Sequence, residues 1–460
     1  MQFNYIQTVG FLNKIVATSS REVVRPKIDI ALKNFLVSAG HNITLHYKFP
    51  TINFSSYYRR IRRGDHEVNV PYIPSPVYNI VSSILFEVWC DNRILDIDEF
   101  SLPLDSSAGL PFRGKKKSEL LRCVDFFQDT PELHYYTTAS PKTNELLDEK
   151  VILVKGPRII FVTCFHLIIK QKKLFEDQNK KFCERMKPYG VVIGISSKNG
   201  EWHDLISKHV CFTIHVTGDS LTQDLNNAYM QPVYDIRSKC LKMAVKGGTI
   251  LFDIDVECER LINPRIVLIN GQVITFPNLA ISGSNNITID NTIAYLFLIY
   301  TVFFNVFGDT WLSYVRESEI SIYSDDWIVS TNCGELESPD VWHYAWNNSG
   351  MILKTLTITR NILEIEFLGS KVVKREYFNQ DWYCQVPLRQ RVLTSIVVVP
   401  RDLTLQEKFD RLLNFCNLFL HHSIFTSLYT YTYEFAQKFN LRCPTRFELL
   451  ANNLGIQGGL

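Results

Sequence analysis

The chain has 460 residues, 46% of them hydrophobic and 21% charged, a globular composition that excludes collagen-like, coiled-coil and wholly disordered readings. A net charge of +2, from 49 Lys+Arg against 47 Asp+Glu, excludes a chain that holds polyanions by bulk charge alone. Eleven cysteines without a C-x-x-C pair argue against a disulfide framework or a zinc site and fit a reducing compartment.

From the N-terminus, MQFNYIQTVGFLNKIVATSS lacks a basic stretch followed by a solid apolar block, so no secretory signal is expected. Residues 1–64 hold ten Lys/Arg, including Arg59, Arg60, Arg62 and Arg63, against Glu22 and Asp29. They carry +8 and the remainder −6, a split that suits a polyanion path near the N-terminal part and an acidic cation site elsewhere, or a solvated basic face. Pro71, Pro74 and Pro76, then LPLDSSAGLPFRGKKK, read as loops. VILV at 151–154, RIIFV at 158–162, CFTIHV at 211–216 and ISIYS at 320–324 read as strands. IAYLFLIYTVFFNVF, from Ile293 to Phe307, is apolar over 15 residues. That is short of the ~20 a spanning helix needs, so a buried core helix and no transmembrane segment are expected. From Leu403 to Leu450 helical periodicity dominates, with Leu412, Leu413, Phe415, Cys416, Phe419 and Leu420 on one apolar face. The fold class is α+β, ending in a helical bundle.

Two carboxylate sets carry the chemistry. In IYSDDWIV, Asp325 and Asp326 sit between apolar β-formers in a strand, turn, strand pattern, which suits a divalent cation with hard oxygen ligands shared with substrate phosphates. Upstream, CFTIHVTGDSLTQD ends a β-rich run at Gly218 and Asp219, with Asp224 five residues on. Between them, ISGSNNITIDN places Ser282 and Gly283 in a loop before the apolar helix, with Asn291 nine positions after Ser282. Neither a Walker lysine loop nor a G-x-G-x-x-G follows any strand, and no histidine falls in a metal-ligand pattern.

This order of D-x4-D, Ser-Gly loop with downstream Asn, and X-D-D hairpin resembles motifs A, B and C of the viral RNA-dependent RNA polymerases, in the picornavirus-like supergroup. LDSSAGLPF at 104–112 looks like motif G, a template-entrance loop, with Ser107, Gly109 and Pro111 in place and Lys115 and Lys116 following. KTNELLDEKVILVKGPRIIF at 142–161 looks like motif F, which offers Lys150, Lys155 and Arg158 to the triphosphate, with K-x-x-R where K-x-R is usual. VIGISSKNGEW at 192–202 is similar to a segment preceding motif A in astrovirus- and sobemovirus-like enzymes. SGMILKT resembles motif D and makes Lys354 the proton donor to pyrophosphate. EFLGS resembles motif E, with Phe367, Leu368 and Gly369 gripping the primer, and PLRQRVLTSI looks like an astrovirus- or calicivirus-like thumb. The chain departs from the pattern at Ser324, a Gly in most positive-strand viruses and a Ser in nidovirus-like ones. It departs again at Ile287, where Thr is more common and Thr288 follows.

The resemblance implies a right hand with an antiparallel palm sheet backed by helices. Fingers take 1–206 and an insertion at 236–280, palm 207–235 and 281–372, and thumb 373–460. It implies Asp219, Asp325 and Asp326 as Mg²⁺ ligands, with Mn²⁺ as a substitute, and Asp224, Ser282, Gly283, Thr288 and Asn291 around the ribose of the nucleotide. RNA template and primer, rNTPs, and a protein primer or other viral replication proteins are the expected partners, in membrane-associated replication complexes of the host cytoplasm. A reverse transcriptase, whose Y-x-D-D hairpin matches Tyr323–Asp326, and a catalytically silent RNA-binding protein of the same fold remain as rivals.

Overall fold

The computed structural model describes residues 7–11, 27–43, 47–48, 50, 54–62, 71–102, 109, 136–142, 146–196, 198–220, 229–245, 249–279, 281–388, 390–399 and 402–456. At its centre four antiparallel strands, β1 (Ile214–Ser220), β2 (Glu319–Tyr323), β3 (Asp326–Thr331) and β4 (Leu353–Thr359), lie in the order β2-β3-β1-β4. The hairpin of β2 and β3 closes at Tyr323 opposite Asp326, so its turn is only Ser324 and Asp325.

Six helices matter for the site: α1 (Ser75–Val88), α2 (Phe165–Arg185), α3 (Glu201–Val210), α4 (Met230–Ala244), α5 (Ile287–Phe307) and α6 (Pro339–Asn348). Pro76, expected in a loop, opens α1, where its missing N–H has no intrahelical partner to lose. One face of the sheet, with Val216, Trp327 and Val329, packs on α5 and α6 through Ile293, Phe297, Trp342 and Trp346. The alternate residues face α3, where Ile328 packs with Trp202 and Ile206. On that face His209 bonds Ser330 Oγ at 2.7 Å and Ser321 Oγ at 2.8 Å, and His215 shares Ser330 at 2.8 Å. Burial drives His209 down to about 3, so it stays neutral, and His215 is lowered for the same reason.

Helix α5 is longer than its apolar run suggested: 21 residues, and the stretch Ile287–Arg316 is long and apolar enough to cross a membrane by length and composition. Burial decides its role, not shortness, since 83% of its most apolar window lies inside the protein against α1, α4, α6 and β2.

A five-stranded sheet brings together Gln7–Phe11, Gln272–Thr275, Arg265–Val267, Thr137–Pro141 and Ile159–Thr163, in that order. VILV is not a strand but part of the helix Glu149–Lys155. A four-residue apolar run cannot distinguish the two. Here the Asp148 carboxylate accepts from Lys150 N at one end and Gly156, at φ 71°, terminates the other. Leu153 and Val154 consequently face solvent. Gly156 also lies where a side chain would strike Ser56 Cβ at 2.7 Å, which seats this helix on Phe54–Arg62. Of the basic cluster on Phe54–Arg62, Arg60 is buried, so that segment is not a uniformly solvated face. Arg63 lies outside the described residues.

The C-terminal helices Leu405–Leu418, Phe425–Lys438 and Arg446–Leu454 enclose Leu412, Cys416, Phe419 and Leu428, while Leu413 and Phe415 of the expected face are only half-buried. Capping boxes at Thr404/Glu407 and Thr445/Glu448 start the first and third. Leu32 and Leu36 of the helix Ile30–Ser38 complete this core. Lys27–Ile28 pairs with Val398–Val399, and Lys408 Nζ lies 2.7 Å from Asp29 Oδ2. Residues 27–43 therefore share a core with the C-terminal end of the chain.

Candidate active site

Asp219 stands at the C-terminal end of β1. Thr217 pairs with Ile328, so Asp219 lies two residues past this pair on β1 and Asp326 two residues before it on β3, at the same end of the sheet, with Asp325 in the adjoining turn. On the other side, β4 pairs Leu353 with Ser220 and Thr355 with Asp219, so Lys354 is the extra residue of a bulge. Bulges re-aim side chains, and this one brings Lys354 Nζ to 2.5 Å from Asp219 Oδ2, both side chains about half exposed. The three carboxylates stand within electrostatic reach of one buried group, Tyr295 of α5. Burial first, then the charges of Asp325, Asp219 and Asp326, push its hydroxyl well above the ordinary tyrosine value, against the Ser220 bond that lowers it.

Residues around Asp219 explain why the strand ends there. Ser220 Oγ accepts from Tyr295 OH at 2.6 Å and from Trp346 Nε1 at 2.8 Å. At Gly218 a Cβ would lie 2.7 Å from Thr355 O and 3.0 Å from the Trp327 ring, so only glycine lets β4 and Trp327 close around the strand. None of Ser220, Tyr295 or Trp346 had a chemical signature in the sequence; Gly218 before Asp219 was the one visible sign.

Carboxylate oxygens are hard donors suited to Mg²⁺ or Mn²⁺, and Asp219 is ion-paired with the Lys354 ammonium. Among the described residues no group of three or more His, Cys, Asp or Glu side chains is placed to hold a metal ion. Mg²⁺ is commonly held by one or two carboxylates together with water and substrate phosphates.

The turn itself is tied to α5. Ser324 adopts φ 57°, a conformation that costs a non-glycine residue roughly 1–2 kcal/mol. Its backbone N–H donates to Thr292 Oγ1 at 2.9 Å, and Asn291 Nδ2 donates to Ser324 Oγ at 3.3 Å. Thr292 Oγ1 in turn donates to Thr288 O at 2.7 Å. Asn291 is thus buried beside the carboxylate turn, and half-buried Thr288 stands one helical turn before it.

The loop that precedes α5 is docked on the strand that follows Arg158. Phe161 N donates to Ser282 Oγ at 3.3 Å, and a Cβ on Gly283 would lie 2.1 Å from Phe161 O. Gly109, at φ 71°, meets the next residues of that strand, its virtual Cβ 2.9 Å from Cys164 Cα and 3.0 Å from Thr163 O. The structure thereby joins Gly109, the Ile159–Thr163 strand and the Ser282–Gly283 loop into one wall, with Arg158 exposed at its start. Exposed Lys150 and the backbone of Lys155 lie on the separate helix Glu149–Lys155. Further along the chain Phe367 is buried against Trp202, and Leu368 and Gly369 form a hairpin turn at φ 50° and 67°. Ser107, Pro111, Lys115, Lys116 and Asp224 lie outside the described residues.

Beneath the loop runs a buried charge network absent from the sequence reading. Asp290 of α5 and Arg237 of α4, 1% and 0% exposed, form an ion pair with Nε 2.8 Å from Oδ1; the N–H does not point along the contact, so it is a charge pair rather than an aligned hydrogen bond. Tyr234 OH donates to Asp290 Oδ2 at 2.7 Å, and Arg237 donates to Gln178 Oε1 and Asn179 Oδ1 of α2. Asn179 Nδ2 donates to Asn286 Oδ1, at the mouth of α5, at 2.9 Å. Burial raises the Asp290 carboxyl while Arg237 and Tyr234 lower it, and the net direction is upward.

Comparison with known proteins bears on this arrangement at one point. A family model described as viral RNA-dependent RNA polymerase matches residues 96–398. No curated protein matches the chain.

Proposed function

This chain belongs to the viral RNA-dependent RNA polymerase family, and we propose that it replicates a viral RNA genome by two-metal, template-directed nucleotidyl transfer from rNTPs. Membership carries RNA-directed RNA polymerase activity, a transferase reaction on RNA and nucleoside triphosphates. The observation that carries the finer reading is that Asp219, the Asp325–Asp326 turn and Lys354 stand at one end of a single antiparallel sheet.

In the proposed reaction the oxygen of an RNA 3′-hydroxyl attacks the α-phosphate of an rNTP in line, and the hydroxyl proton passes to solvent. The bond to the β-phosphate breaks and pyrophosphate leaves. Asp219, Asp325 and Asp326 would hold Mg²⁺, or Mn²⁺ in its place, which supplies charge stabilisation of the attacking and leaving oxygens. Lys354, held beside Asp219 by the bulge, donates a proton to the departing pyrophosphate. Arg158, with Lys150 and Lys155, balances the triphosphate charge. Asn291 and Ser282, with Thr288 and Asp224, read the ribose 2′-hydroxyl, the group that separates RNA from DNA precursors. Gly109 with Ser107, Pro111, Lys115 and Lys116 would guide the template, and Phe367, Leu368 and Gly369 the primer. The right-hand division follows the same reading: fingers at 1–206 and 236–280, palm at 207–235 and 281–372, thumb at 373–460. We further propose that the enzyme works in membrane-associated replication complexes of the host cytoplasm.

The test is incorporation of labelled rNTPs on a primed homopolymer RNA template with Mg²⁺ or Mn²⁺, beside Asp325→Ala. Templated synthesis lost in the variant is the expected outcome; equal synthesis by the variant overturns the assignment of the carboxylates.

A further inference from the structure

Ser324 stands at φ 57° in a two-residue hairpin turn, and its side chain makes a contact that glycine cannot. Asn291 Nδ2 donates to Ser324 Oγ at 3.3 Å, while the Ser324 N–H is fixed on Thr292 Oγ1 at 2.9 Å. Asn291 and Thr292 are adjacent on α5, so the turn is gripped by two consecutive residues of one buried helix. A residue held at φ 57° in a two-residue hairpin turn favours glycine. The serine therefore stands against a local preference, and its hydroxyl is what distinguishes it from glycine here.

The bond orients the Asn291 amide. The bond engages Nδ2, and the amide's other polar atom, Oδ1, accepts hydrogen bonds only. A ribose 2′-hydroxyl can donate to such an acceptor and a deoxyribose cannot. We infer that Ser324 is a positioning residue for sugar discrimination, holding the Asn291 amide in the orientation that favours rNTPs over dNTPs. The inference rests on the reading of Asn291 as a ribose contact. It goes beyond that reading by assigning the set of the amide to the carboxylate turn, so sugar recognition and the Asp325 loop are mechanically one unit.

The experiment measures kcat and KM for an rNTP and its 2′-deoxy counterpart in the full chain with Mg²⁺, RNA template and primer. The variants are Ser324→Gly, Ser324→Ala, Asn291→Ala and the Ser324→Gly/Asn291→Ala pair. Glycine is unstrained at this φ, so Ser324→Gly removes the hydroxyl without burdening the fold, and its melting temperature verifies that. The expected result is a drop of about fivefold in the rNTP/dNTP ratio of kcat/KM, the worth of one neutral hydrogen bond. The drop is carried by a higher KM for the rNTP, is similar in Ser324→Ala, and does not deepen when Ser324→Gly is added to Asn291→Ala. A merely structural serine would lower both substrates together and leave the ratio unchanged. If Asn291→Ala lowers the ratio and both Ser324 variants leave it intact, the inference falls and the ribose reading stands. If Asn291→Ala leaves the ratio unchanged, the ribose reading itself fails and the inference with it.

Discussion

Replacing Arg237 by Met tests whether the buried pair under the Ser282–Asn286 loop is held by charge. Arg237 is fully enclosed, stacked near Trp89 and Phe175 at 5.2 and 5.7 Å, with Asp290 1% exposed beside it. Methionine fills most of that volume but leaves Asp290 with the Tyr234 hydroxyl as its remaining donor from this network. Breaking a buried pair from one side costs about 3–5 kcal/mol, because the surviving charge has lost its compensation. With an unfolding entropy of about 2.1 cal/mol/K per residue, a 460-residue chain melting as one unit loses about 1 °C per kcal/mol, so the melting temperature should fall by about 3–5 °C. The sign of its pH dependence is fixed too. Asp290 already titrates above the ordinary carboxylate value, burial being the leading cause and Arg237 the chief opposing one. Without the guanidinium it moves further up. A carboxyl whose folded value is raised contributes most at low pH and loses that contribution as pH rises through the folded value. The deficit against wild type should be smaller near pH 5 than near pH 8, followed by thermal unfolding in both buffers. The Arg237→Met/Asp290→Asn pair, which removes both charges, should melt above the single variant. A deficit under about 1 °C, or one that is the same at both pH values, would refute the assignment of this pair as an energetic support of the loop.

Three further outcomes follow from named contacts. Gly283→Ala places a Cβ against Phe161 O at 2.1 Å; overpacking of about 1–3 kcal/mol should move the loop and lower primer extension about tenfold or more, while the same activity as wild type would mean the loop is not docked there. Lys354→Ala should lower kcat about 10²-fold with little change in KM, as for a lost general acid, yet alter the melting temperature by under about 1 °C because its ion pair is half exposed; a KM effect alone contradicts the proton-donor role. His209 is held down to about 3 by burial, so the folded state resists a proton that the unfolded chain takes up below about pH 6.5. Its stabilising contribution is complete above that pH and is lost as the pH falls toward the folded value. His209→Gln should flatten the loss of melting temperature between about pH 6.5 and 4, and an unchanged slope means other groups set it.

Much of the site could be read along the chain because its parts are short, local and chemically marked. Asp219, the Asp325–Asp326 turn, the Ser282–Gly283 loop and Asn291 each sit at the end of an element whose boundary is set by neighbouring residues, and the hairpin was visible as carboxylates between β-formers. The helix Glu149–Lys155 was misread as a strand because four apolar residues carry no period, and the deciding groups, the Asp148 cap and the Gly156 stop, lie outside the run. The length of α5 was underestimated because its first turns, Ile287 to Thr292, mix polar residues that face a buried network rather than water.

Sequence by itself named the candidate site residues, the order of their motifs and the alternation that makes β2 and β3 a hairpin, since these depend on residues within one or two turns of one another. Only the tertiary structure decided that β1 lies between β3 and β4, that the bulge before Thr355 turns Lys354 onto Asp219, and that Arg237 meets Asp290. It also decided that Ser324 is gripped by Asn291 and Thr292. These contacts join residues from 32 to 135 positions apart, and pairings over such distances are selected by the shape and burial of the whole core, which no local pattern encodes.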